Sequence, residues 1–232
     1  MICRIALTTV LGLSLAVPAA AVDPYATEVE LSNGKAGAPT TLSFSFRASG
    51  SALEKLGEMD LRLAEGSRVN PDAFGKKCAL TEQGPKAGGV CAEKFEDARV
   101  GKGQMTVEML GMHTVKADAY LVEGGPDGAN LLFFFAAGQV FGVGAQSVFG
   151  RISLDPGGPA TIEIHDIQKQ LDLPFGASAE LEEGRFTFSG ESGKPAFTNP
   201  AAGALADWTY TTTLSWSGGT QTQRVRATAG KK

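Results

Sequence analysis

The clearest pattern in this chain is strict alternation of apolar and polar positions. From Thr40 to Arg47, Leu42, Phe44 and Phe46 fall on one side, and Ser43, Ser45 and Arg47 on the other. That is the period of a strand with one face buried and one wet. The same period recurs over Thr27–Leu31. It returns where Met59, Leu61 and Leu63 alternate with Asp60, Arg62 and Ala64, and again at Met105, Val107 and Met109. Further strands are predicted over 115–122, 147–154, 161–165, 168–173 and 185–189. A last pair, over 206–217 and 221–228, turns at Gly218-Gly219 and reads as a hairpin. Thirty glycines and eleven prolines punctuate these segments, and no long amphipathic helix interrupts them. The predicted class is therefore all-β, an antiparallel β-sandwich or a jelly-roll-like double sheet. Residues 66–100 are irregular and read as a loop pinned by Cys78 and Cys91.

Two stretches break the alternation. Leu131–Ala137 is continuously apolar, which suits a strand covered on both faces. It lies within residues 128–150, which carry no charge and are long enough to span a bilayer. Asn130, Gln139, Gln146, Gly138, Gly142, Gly144 and Gly150 dilute that stretch and favour a buried strand pair. The second is residues 1–21: Arg4, an apolar run to Val17, Pro18, then Ala19-Ala20-Ala21. This is the layout of a secretory signal peptide. It predicts a mature chain from Val22 that works outside the cytoplasm, secreted or in the cell envelope. One β unit is expected over 22–230, with residue 104 as the alternative internal boundary.

Charge and cysteine content narrow the field. Twenty-one Lys and Arg against 25 Asp and Glu give a net charge of −4, with no basic cluster. That excludes nucleic acid as a partner. Cys3 would leave with the signal peptide, so Cys78 and Cys91 remain to form one disulfide in an oxidising compartment. No metal site is expected, because C-x2-4-C and H-x3-5-H spacings are absent.

Catalytic chemistry finds little to work with. His113 and His165 are the two histidines, and no H-E-x-x-H or G-x-S-x-G motif is present. His165 and Asp166 are adjacent, so on a strand they point to opposite faces. Asp127 and Asp155 sit in Pro/Gly turns, where Asp is a turn former. No catalytic residue and no cofactor is assigned. The strongest candidate ligand surface is the strand on which Trp208, Tyr210 and Trp216 share one face. Such a face either fills a core or forms a platform on which sugar rings stack.

A further set of residues carries a resemblance. Met59 to Gly66 is followed by Val69-Asn70-Pro71, Cys78, Cys91-Ala92 and Val100-Gly101-Lys102-Gly103, with Asn199-Pro200 ahead of Trp208. This resembles a recurring pattern in secreted β-rich proteins of actinobacteria. The resemblance implies a secreted β protein and brings no catalytic residues.

The expected function is a non-enzymatic, extracellular or cell-envelope β protein acting by contact with a protein or glycan. One alternative is a carbohydrate-binding module using Trp208, Tyr210 and Trp216. Another is a binder of hydrophobic ligands using Leu131–Phe135 and Phe141.

Overall fold

Alternation tells which side chains share a face, and closure decides what that face encloses. The structure is a computed structural model and describes residues 24–49, 56–80, 87–108, 112–136, 145–153, 159–171 and 180–230. The predicted signal peptide and Phe141 lie outside these residues. The strands are β1 (Tyr25–Leu31), β2 (Pro39–Thr40), β3 (Leu42–Ala48), β4 (Leu56–Arg62), β5 (Arg68–Val69), β6 (Cys78–Ala79), β7 (Arg99–Glu108) and β8 (Met112–Glu123). They continue with β9 (Leu131–Ala136), β10 (Gln146–Ser153), β11 (Thr161–Ile164), β12 (Glu180–Phe188), β13 (Phe197–Thr198), β14 (Thr209–Trp216) and β15 (Gly219–Ala229). The helices are α1 (Ala87–Lys94) and the single turn α2 (Ile167–Gln170).

The architecture corrects the expectation of two packed sheets. One sheet runs β8-β7-β12-β3-β1-β15-β14-β4-β11-β10-β9, and β9 pairs back onto β8. The result is a closed barrel of eleven strands, neither a sandwich nor a jelly roll. Sandwich and barrel share the same alternating pattern, because each buries one face of every strand. What separates them is the β8–β9 and β1–β15 pairings, which link partners that alternation does not specify. A small sheet, β2-β13-β5, pairs beside the barrel through Phe197 and Thr198. The strand predicted over 168–173 is also corrected. Asp166 turns the chain with φ 52, and α2 follows.

The barrel interior is apolar and rich in rings. Phe133 meets Phe186 edge-on at 5.2 Å and Phe188 at 6.1 Å. Room for these rings comes from glycines placed directly across the ladder. Phe46 pairs with Gly184, Phe186 with Gly103 and Phe188 with Gly101. A Cβ on Gly184 would lie 2.5 Å from the Phe46 ring. One on Gly103 would lie 2.4 Å from the Arg185 carbonyl oxygen and 2.6 Å from the Phe186 ring. Large and small residues therefore alternate around the inner wall, as a filled barrel requires.

The outer wall is mostly polar: Glu28, Ser45, Asp60, Lys102, Arg185 and Thr213 are typical outward residues. A barrel that spans a membrane has the reverse arrangement, apolar outside. Among the described residues no helix is long and apolar enough to cross a membrane. The outer wall turns apolar in one place, where Tyr120, Val122, Leu132 and Phe149 form a second core. Helix α1 covers it, so the stretch read as a pinned loop is a lid on the wall. The Cys78–Cys91 disulfide holds that lid, with Cα atoms 5.6 Å apart. Gly88 lets α1 approach, since a Cβ there would meet Phe134 at 2.5 Å, and its N–H donates to Ser147 Oγ at 3.0 Å. The apolar run at 131–136 is thus covered on both faces, as its composition predicted. Burial under the lid, with Asp118 nearby, pushes the Tyr120 phenol up to about 12.

The glycine–phenylalanine pairs make a specific prediction. Gly184→Ala costs roughly 1–3 kcal/mol by overpacking, and adding Phe46→Leu recovers part of the loss, because a ring is what must yield. Gly103→Ala costs a similar amount and is not recovered by Phe186→Leu, because the Arg185 carbonyl blocks it. Urea denaturation of the single and double variants distinguishes the two cases.

Candidate functional site

An eleven-strand ring cannot be antiparallel throughout, because strand direction alternates at every antiparallel joint and eleven is odd. The one parallel joint of this ring lies between β1 and β15. Its backbone register covers only Val29↔Ala227, Glu30↔Thr228 and Leu31↔Ala229. Toward Tyr25, side chains join the two strands. The Tyr25 N–H donates to Gln221 Oε1 at 3.2 Å, and Gln221 Nε2 donates to the Tyr25 carbonyl at 2.7 Å. One side-chain amide thus plays the part of a peptide group in the ladder. One step along, the Thr27 hydroxyl donates to Gln223 Oε1 at 2.8 Å and lies 3.0 Å from the Thr212 hydroxyl.

The inward-facing residues along this seam change from sealed to open and back. Tyr25 is 0% exposed and Gln221 is 7% exposed. Next come Thr27, Gln223 and Val225, all only half-buried. Beyond them Val29 is again 0% exposed and Ala227 4%. These inward side chains keep accessible surface between two closed layers of the barrel. Met105, on the same hydrogen-bonded row as Gly184, Phe46 and Thr27, is half-buried too. The seam and the space behind it are the candidate site.

The aromatic face that the sequence offered as either core or ligand platform points inward. Trp208 is 4% exposed, and its indole Nε1 donates to the Ala202 carbonyl at 3.0 Å. Tyr210 is 2% exposed, and burial raises its phenol pKa. Neither ring is available to stack on a surface sugar. Trp216 is half-buried and packs edge-on against Tyr25 at 5.8 Å, which places it at the seam. Leu131, Phe133 and Phe135 fill the main core, while Leu132 and Phe134 lie under α1. Those residues are packed, so the hydrophobic-ligand reading does not rest on them. The residues that matter most at the seam, Thr27, Gln221 and Gln223, were not singled out from sequence. The available signal was a polar residue on the inward face of an otherwise apolar strand.

The histidines are not brought together. His113 lies on the inward face of β8, in phase with the buried Val115 and Ala117. His165 lies outside, with Nε2 at 2.8 Å from Asp60 Oδ1. Burial raises the Asp60 carboxyl pKa, against the opposing pull of His165. An outer cleft near His165 also holds Asp127, Arg151 and Glu163. Within it Arg151 donates to the Asp127 carbonyl, and Asp166 pairs with Lys169. Among the described residues no group of His, Cys, Asp and Glu could hold a metal ion. No family model matches the chain, and no curated protein matches it.

The clasp makes a testable prediction. Gln221→Leu strands the buried N–H and C=O of Tyr25, at about 2–4 kcal/mol for two unmet groups. Gln221→Glu keeps an acceptor for the Tyr25 N–H but, once ionised, sets a carboxylate against the Tyr25 carbonyl. Burial and that carbonyl raise the new carboxyl's folded pKa, so the protonated form, which can donate, is the favoured one. The Gln221→Glu chain is then most stable below the ordinary carboxylate range and loses stability as pH rises through the raised folded pKa. Thermal melts from pH 4 to pH 7 check this against the wild type, which lacks that loss.

Proposed function

We propose that this protein is a non-catalytic, extracytoplasmic binding protein that takes a small, largely apolar molecule into the space behind the β1–β15 seam. The observation that carries the reading is the half-burial of Thr27, Gln223 and Val225 between the sealed layers of Tyr25 with Gln221 and Val29 with Ala227. A filled core would bury all of them alike. Ligand sites in barrels are concave, mostly apolar and marked by a few placed polar groups, and the seam has that composition. The extracytoplasmic setting is supported by the signal-like leader and by the disulfide, whose cysteines are both buried.

The test uses the neutral apolar fluorophore N-phenyl-1-naphthylamine. Saturable binding at one probe per chain is expected, with blue-shifted emission. Val225→Trp, which fills the space, removes that binding while the far-ultraviolet circular dichroism is kept. Emission that rises linearly without saturation, or binding indifferent to Val225→Trp, refutes the lumen reading.

A further inference from the structure

The hydrogen-bond inventory at the seam goes further than an apolar space. Each threonine hydroxyl has one proton to give and two lone pairs to receive. The Thr27 proton is committed to Gln223 Oε1. At 3.0 Å from Thr212 Oγ1, Thr27 Oγ1 is therefore the acceptor of the Thr212 proton. One lone pair of Thr27 Oγ1 then remains, and Thr27 is the half-buried member of the pair, whereas Thr212 is 1% exposed. The Thr27 hydroxyl thus keeps one acceptor site and has no proton left to offer. A bound molecule gains there by donating a hydrogen bond.

Charge narrows the class. The inward faces of β1, β14 and β15 carry no Asp, Glu, Lys, Arg or His over the described residues. Their ionisable groups are the phenols of Tyr25 and Tyr210. An ammonium or carboxylate brought against these three faces would lose its water with no opposite charge on them, which is strongly unfavourable. Val225 and Trp216, both partly buried on β15 and β14, supply apolar surface for the rest of the molecule. Resting on the lumen reading above, we infer that the seam site selects an uncharged lipophilic alcohol, whose hydroxyl donates to Thr27 Oγ1 while its hydrocarbon part lies toward Val225 and Trp216. A sugar fits less well, because several hydroxyls would be placed against apolar side chains.

The test compares two isomers, octan-1-ol and 1-methoxyheptane, as displacers of N-phenyl-1-naphthylamine from the full-length protein. Both carry one oxygen, but only the alcohol donates. The alcohol is expected to displace the probe at a roughly 2- to 12-fold lower concentration, the range of one net hydrogen bond. Thr27→Ser keeps that preference and Thr27→Val abolishes it. An ether that competes as well as the alcohol against wild-type protein overturns the inference, whether or not the valine variant folds. So does a preference that survives Thr27→Val. Failure of the probe to bind wild-type protein at all is a different result and removes the lumen reading itself.

Discussion

The parity of the ring is the constraint on which the rest of this structure depends. Ten antiparallel joints leave the eleventh parallel, and it falls where the first and last strands of the barrel meet. Parallel pairing is slightly less stable per residue than antiparallel pairing. Here it covers three registered pairs, while the antiparallel β1–β3 joint on the other side of β1 covers seven. The two strands part toward Tyr25, and the wall would open there without other bonds. The Gln221 amide closes it at the layer of Tyr25, and the Thr27–Gln223 contact spans it one layer further in.

Among the described residues, Gln221 is one of three side-chain amides used in this way. Asn130 Oδ1 accepts from the Ile152 N–H at 2.7 Å, and Asn130 Nδ2 donates to the Ile152 carbonyl at 3.1 Å. Gln170 Oε1 accepts from the Phe149 N–H, and Gln170 Nε2 donates to the Phe149 carbonyl. A primary amide presents an acceptor and a donor side by side, as the edge of a strand does. Each of the three sits where a backbone ladder runs out: at the start of β9, beside β10 and along the β1–β15 seam. Buried N–H and C=O groups left unpaired would cost free energy at every such point. The splices therefore fix where the wall may end or change partner.

Much of the wall was legible in the sequence and its closure was not. Alternation located β3, β4, β8 and β14 to within a few residues, because one buried face imposes a period of two. The unbroken apolar run of β9 announced cover on both faces, which the core and α1 provide. The face of Trp208 and Tyr210 was legible as shared, and its burial followed the commoner of the two readings. Closure escaped because it depends on long-range pairings, β8 with β9 and β1 with β15, and sequence periodicity carries no partner. The predicted strand at 168–173 failed for a related reason. Ile167 and Leu171 are apolar enough for a strand, but Gln170 gives its amide to Phe149 from the turn of α2. The three amides were invisible for the same cause: an asparagine or glutamine side chain reads as solvated until its partner is known.

Ring size also explains why a space is found where it is. Barrel diameter grows with strand number, and about eight strands give an interior that side chains just fill. Eleven strands enclose more. On the β7–β12–β3 side the surplus is taken up by Phe46, Phe186 and Phe188, each seated over a glycine on the neighbouring strand. On the β1–β15 side the inward residues at the same depth are threonine, glutamine and valine. Their short or extended side chains bridge the seam without reaching the barrel axis as a ring does. The same wall is therefore filled by aromatic rings on one side and open at Thr27, Gln223 and Val225 on the other. Of the residues that mend the parallel joint, Gln221 lies in the sealed layer, while Thr27 and Gln223 are half-buried. The defect imposed by an odd ring thus places an acceptor, Thr27 Oγ1, at the edge of an apolar space, the arrangement a site for an uncharged donor requires.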